Sequence, residues 1–160
     1  MENPTDELIN SFVARLQRAG ELVQKEDNGS RLIQFEATLP NRMPLSYESF
    51  LSRYSFVPFD AGGISFFGWY STSGEDPDMI PKTNRDMSKE LGSGGYVQIG
   101  RPDTGHYDPV CFDLNQPRQN REWRIVLADH EQILQWSRIK ILQELWPSFR
   151  NLVEHYLSLP

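Results

Sequence analysis

The chain has 160 residues, 38% of them hydrophobic and 24% charged, which suits one folded domain and argues against disorder. Sixteen basic against twenty-two acidic residues give a net charge of −6. That balance argues against a direct nucleic-acid binder, whose affinity depends on clustered Lys and Arg, but it could steer a basic protein partner. Cys111 is the single cysteine, so no internal disulfide framework is expected. The longest apolar candidate, "GGISFFGWY", falls short of a membrane span, and the acidic start "MENPTDELIN" lacks a signal-peptide succession. The expectation is a cytoplasmic protein without membrane contact.

In chain order, Leu8, Ile9, Phe12, Val13 and Leu16 recur at helical spacing and predict a helix over 5–19. Asp6 and Glu7 suit its positive first turn. "AGELVQKEDNGS" breaks that pattern, and "RLIQFEATLP" fits a short strand or a helical turn equally well. "MPLSYESFLSRY" predicts a second helix with Pro44 at its first position. From Phe56 to Tyr70 the chain turns aromatic and β-like, with a turn or bulge at Gly62 and Gly63 and a strand near Ile64–Tyr70.

A polar connection follows, with a short helix expected around Asn84 to Leu91. Tyr96 to Ala128 then reads as an antiparallel meander. Alternation puts Val97 and Ile99 on one face of its first strand. In the second, Val110, Phe112 and Leu114 share a face opposite Cys111 and Asp113. Ile139, Leu142, Leu145, Trp146, Phe149, Leu152, Val153 and Tyr156 hold one face of a C-terminal helix, which Pro147 should kink or restart. The order predicts a single α+β domain, with N-terminal helices and a C-terminal helix packed on an antiparallel sheet.

One window concentrates reactive side chains: "IGRPDTGHYDPVCFDLN" holds Asp103, His106, Asp108, Cys111 and Asp113. A metal-assisted hydrolase would draw on His106, Asp108, Cys111 and His130, but their spacing matches no zinc pattern. Cys111 lies in a strand beside the carboxylates Asp108 and Asp113, which would raise its pKa, the wrong direction for a nucleophile. Turn chemistry accounts for Pro102, Asp103, Gly105, Asp108 and Pro109. Trp69 and Tyr70, if exposed, are candidate partner anchors. Glu75, Asp76 and Asp78, with Asp103, His106 and Asp108, are candidate rim contacts for a basic partner.

Three segments resemble the SUKH superfamily, which joins fungal cell-wall-synthesis regulators to bacterial toxin-immunity proteins. "LPNRMPLSYESFLSRY" resembles the family's Leu-Pro followed by an aromatic residue and Phe-Leu on an early helix. "YVQIGRPDTGHYDPVCFDLN" with "WRIVLADHE" resembles its strand ending in Ile-Gly, a glycine-containing turn, a strand ending in Asp, and a strand leading to a His-containing connection. "WPSFRNLVEHYL" resembles its closing helix. Where the family commonly shows Asn-Gly or Asn-Gly-Gly after the early helix, this chain has "DAGG". The resemblance implies a non-catalytic, cofactor-free protein of the immunity type that neutralises a partner, such as a basic toxin domain, by steric and electrostatic occlusion. A regulatory scaffold that binds host proteins is the alternative. The oligomeric state is left open.

Overall fold

The computed structural model describes residues 3–70, 76, 78–87, 89–116 and 119–160. Helix α1 (Pro4–Arg18) begins where Asn3 accepts a hydrogen bond from the Asp6 N–H at 2.8 Å. Pro4 sits in its first turn, where an N–H would have no helical partner. Ile9, Phe12, Val13 and Leu16 form the buried stripe the periodicity predicts.

The next stretch departs from expectation. Val23–Lys25 is a strand, β1, paired antiparallel with β2 (Tyr54–Phe56). Asn28, buried beside them, donates to the Tyr54 carbonyl and the Ser55 hydroxyl, both at 3.0 Å. Helix α2 (Gly29–Glu36) settles the ambiguity of "RLIQFEATLP". A strand would have put Ile33 and Phe35 on one face. Instead Leu32 and Phe35, three apart, are buried, while Ile33 is 71% exposed. Helix α3 (Leu45–Arg53) follows, with Pro44 as its N-cap, one position before the expected one.

Strands β3 (Phe59–Ala61) and β4 (Ile64–Phe66) form a hairpin joined by Gly62 and Gly63 at φ +60° and +81°. Only glycine holds such dihedrals at little cost. A Cβ at Gly62 would also stand 2.8 Å from Leu152. The short helix expected around Asn84 starts earlier, as α4 (Ile80–Lys82), a wider turn over Thr83–Met87, and α5 (Lys89–Ser93).

The meander is β5 (Tyr96–Pro102), β6 (Val110–Asp113) and β7 (Ile125–Ala128). Helix α6 (His130–Trp136), strand β8 (Ile141–Trp146) and helix α7 (Phe149–Ser158) complete the described chain. The six-stranded sheet runs β3-β4-β5-β6-β7-β8, every neighbour antiparallel. The helix expected from Ile139 is therefore corrected before Pro147, where Ile141–Trp146 is a strand paired with β7, while the restart expected at Pro147 is α7. Proline has no N–H to continue a helix. Ser148 starts α7 afresh by accepting from the Asn151 N–H at 3.0 Å.

The inner strands of the sheet are covered on both faces. On one, α1, α3 and α7 pack together over an aromatic core in which Phe50 stacks on Phe56 at 4.3 Å and Tyr47 meets Phe112 and Phe149 edge-on. Val97, Ile99, Val110, Phe112 and Leu114 point to this side, as the alternation predicts. On the other, a smaller cluster of Cys111, Val126 and Ala128 lies against Leu91 of α5 and Ile133 of α6. No helix among the described residues is long and apolar enough to cross a membrane.

Candidate functional site

The β5–β6 hairpin carries most of the residues singled out in the sequence. Its loop leaves β5 where the Asp103 N–H donates to the Gly63 carbonyl at 3.0 Å, which ties it to the turn of the β3–β4 hairpin. Gly105, at φ +87°, lets the chain reverse. Beside it lies a cleft of about 250 Å³ lined by Phe67, Asp78, Arg101, Asp103, His106 and Tyr107. Arg101 holds the two aromatic walls together, its guanidinium 5.4 Å from the Phe67 ring centre and 5.9 Å from that of Tyr107. Asp78, Asp103 and His106 are exposed, and Tyr107 is 70% exposed. The cleft thus offers two carboxylates, one stacked cation and an outward aromatic ring.

The reactive-looking residues of the window separate. Asp108 accepts hydrogen bonds from the His130 backbone N–H at 3.1 Å, and its Oδ1 lies 2.6 Å from His130 Nδ1. Partial burial opposes ionisation of Asp108, but these bonds and the nearby imidazoles outweigh it and hold the carboxyl below its usual value. Asp129 caps α6 by accepting from the Glu131 N–H at 3.0 Å. Asp108, Asp129 and His130 form the one group of metal-capable atoms within 4.8 Å of each other among the described residues. Its carboxylates, however, accept from backbone N–H groups of the first turn of α6, and His130 Nδ1 faces Asp108. The arrangement is that of a braced helix start.

Cys111 is fully buried on the opposite side of β6 from Phe112. Burial, then the charge of Asp113, pushes its thiol well above the ordinary value. Asp113 is itself committed, bridging Arg124 at 2.9 and 3.0 Å and receiving the Asn115 N–H at 3.0 Å. Among the described residues, the nucleophile and metal readings of the window therefore find neither an accessible thiol nor a cluster that includes Cys111.

Among the predicted partner contacts, the structure brings Asp78, Asp103 and His106 into one cleft. Asp108 does not line it and is bonded to His130 instead. Trp69 is a correction: it is 0% exposed and cannot serve as a surface anchor. Its indole N–H donates to the Leu51 carbonyl at 2.9 Å, which lets the ring be buried with its donor satisfied. Tyr70 is half-buried, and its hydroxyl donates to Asp76. That bond, followed by the Asp78 N–H, holds the Asp76 carboxyl below its usual value. Glu75 lies outside the described residues. Sequence reasoning passed over Arg101 and Tyr107. Tyr107 left a signal, an aromatic residue inside a polar turn; Arg101 left none, because its role depends on Phe67 from another segment.

No protein-family model matches the chain, and no curated protein matches it significantly.

Proposed function

We propose that this chain is a SUKH-like, cytoplasmic binding protein of the immunity type, which neutralises a basic partner protein by covering it. The observation that carries this reading is the hairpin cleft, which the exposed Asp78 and Asp103 line together with the outward ring of Tyr107. Tyrosine is a frequent energetic anchor of protein interfaces, and exposed carboxylates accelerate encounter with a cationic surface. The net charge of −6 acts in the same direction. Inhibition in this reading is steric and electrostatic and needs no bond-making by the inhibitor. The three segments that resemble the superfamily support it independently.

The test is co-purification with the product of the neighbouring gene, followed by variants of the cleft. Tyr107→Ala should weaken the complex by about tenfold or more. Asp103→Lys should slow association, most visibly at low ionic strength. A neighbourhood without any toxin-like gene, or a folded Tyr107→Ala/Asp103→Lys double variant that binds as tightly as the parent, would overturn the reading. Capture of a resident cellular complex in place of a toxin would favour the regulatory scaffold.

A further inference from the structure

On the α2 side of the molecule lies a pocket of about 430 Å³ whose chemistry runs against that of the whole chain. The protein carries a net charge of −6, yet none of the described residues lining this pocket is acidic, and Arg31 and Arg85 bring two cations to it. Phe35, Leu39, Trp69 and Tyr96 supply apolar walls.

Arg31 is held in an unusual way. Its guanidinium lies 3.9 Å from the centre of the Trp69 ring. Trp69 is fixed in turn by its bond to Leu51 and by Phe35, one helical turn beyond Arg31 and 6.0 Å away. Stacking, rather than hydrogen bonding, positions the cation. Nε and Nη2 of Arg31 are both withdrawn from solvent, and neither finds a hydrogen-bond acceptor among the described residues. Glu26 acts on Arg31 through space, but its carboxylate receives the Ser55 hydroxyl at 2.6 Å. Buried donors without acceptors are rare in folded proteins, and a ligand or ion commonly completes them.

The identity of the two atoms matters. Nε–H and the adjacent Nη2–H point along one edge of the guanidinium, the edge that grips a carboxylate or phosphate through two parallel hydrogen bonds. We propose that this pocket is a binding site for an oxyanion group, carboxylate or phosphate, carried on an apolar or aromatic body. The Nε/Nη2 edge of Arg31 receives the anion, Arg85 adds charge, and the body lies against Phe35, Leu39 and Tyr96. Stacking has no preferred direction within the ring plane, so the guanidinium can slide over Trp69 to meet the ligand without losing its support.

The experiment is an NMR titration of the full chain with phenylacetate and, separately, phenyl phosphate, with benzyl alcohol as the uncharged control. Saturable shifts of the Trp69 indole N–H and the Arg31 Nε–H are expected with at least one anion and not with the alcohol. Whichever anion binds more tightly identifies the headgroup. Arg31→Met should weaken binding about tenfold or more, and Arg31→Lys, which keeps the charge and loses the two-donor edge, should weaken it too. Methionine still packs against the indole, so the Tm of Arg31→Met should equal or exceed that of the parent. Tyr107→Ala should bind the probes as the parent does, which separates this site from the hairpin cleft. Absence of shifts at millimolar anion, equal binding by Arg31→Met, or a lowered Tm for that variant without any anion effect would each overturn the proposal.

Discussion

The two faces of the six-stranded sheet are built on different scales. One meets three helices through rings: Phe50 alone contacts Phe12, Tyr47, Tyr54, Phe56, Phe59 and Phe149. The other meets short helices through Cys111, Val126, Ala128, Leu91 and Ile133. Large rings from distant segments lock the first face into one arrangement, since each ring touches several elements at once. Small side chains under a seven-residue helix leave the second face less to lose. It also tolerates water nearby, for Leu134 and Trp136 of α6 remain 80% and 66% exposed. Dense ring packing and the smaller, more open contact thus lie on opposite sides of one sheet.

The sharpest way to break this contrast is to remove one side chain from each face. Phe50→Ala should cost about 3–5 kcal/mol in urea denaturation, as aromatic truncations in closed cores do. Cys111→Ala, equally buried, should cost about 1 kcal/mol, the scale of one small apolar group. Similar losses from both would show that the faces are energetically equivalent.

A finer comparison uses the two helix starts. Ser148→Ala removes the cap of α7, a helix that buries Phe149, Leu152 and Val153, and should lower global stability by about 1 kcal/mol. Asp129→Ala removes the cap of α6, which buries Ile133 alone, and should reduce amide-exchange protection in α6 while barely moving the urea midpoint.

A pH-dependent effect concerns the polar rim of the ring-rich layer, where α2 meets α3. Burial, then the hydrogen bond and charge of Glu48, push the Glu36 carboxyl up to about 7, despite the Met43 N–H and Arg42. Glu48 is itself gripped by Arg42 and Arg121. The folded chain therefore binds this proton more tightly than the unfolded chain, whose Glu titrates near 4.5. The contribution is fully present below that value and is lost as pH rises to about 7. Glu36→Gln should flatten this part of the pH–stability curve, read as urea midpoints across the range. An unchanged slope would mean that Glu36 is not the group responsible.

Much of the ring-rich face was legible in the residues themselves. Helix α1 announces itself through its acidic first turn and periodic apolar stripe, and the Gly62–Gly63 pair marks its hairpin. The alternation of β6 assigns Phe112 and Cys111 to opposite faces without any knowledge of neighbours. Strand β8 was not legible, because its apolar residues fit helical spacing and most of its side chains are exposed or half-buried. Pairing with β7 makes it a strand, and that is a tertiary fact. Strand β1, three residues long, likewise exists through its partner. At the site, a polar turn was readable from Pro102 to Pro109. Which aromatic faces outward was not: Trp69 is buried with its indole N–H bonded to the Leu51 carbonyl, whereas Tyr107 is 70% exposed.

The lone thiol has a practical consequence for anyone who wishes to watch this molecule bind. Cys111 lies at the centre of the sheet, sealed on both sides and held in its protonated form. A cysteine placed on the hairpin loop, as in Thr104→Cys, would face maleimide or iodoacetamide reagents with no rival in the native fold. A dye or spin label could thus be attached beside the cleft, in a single step, without first deleting a native residue.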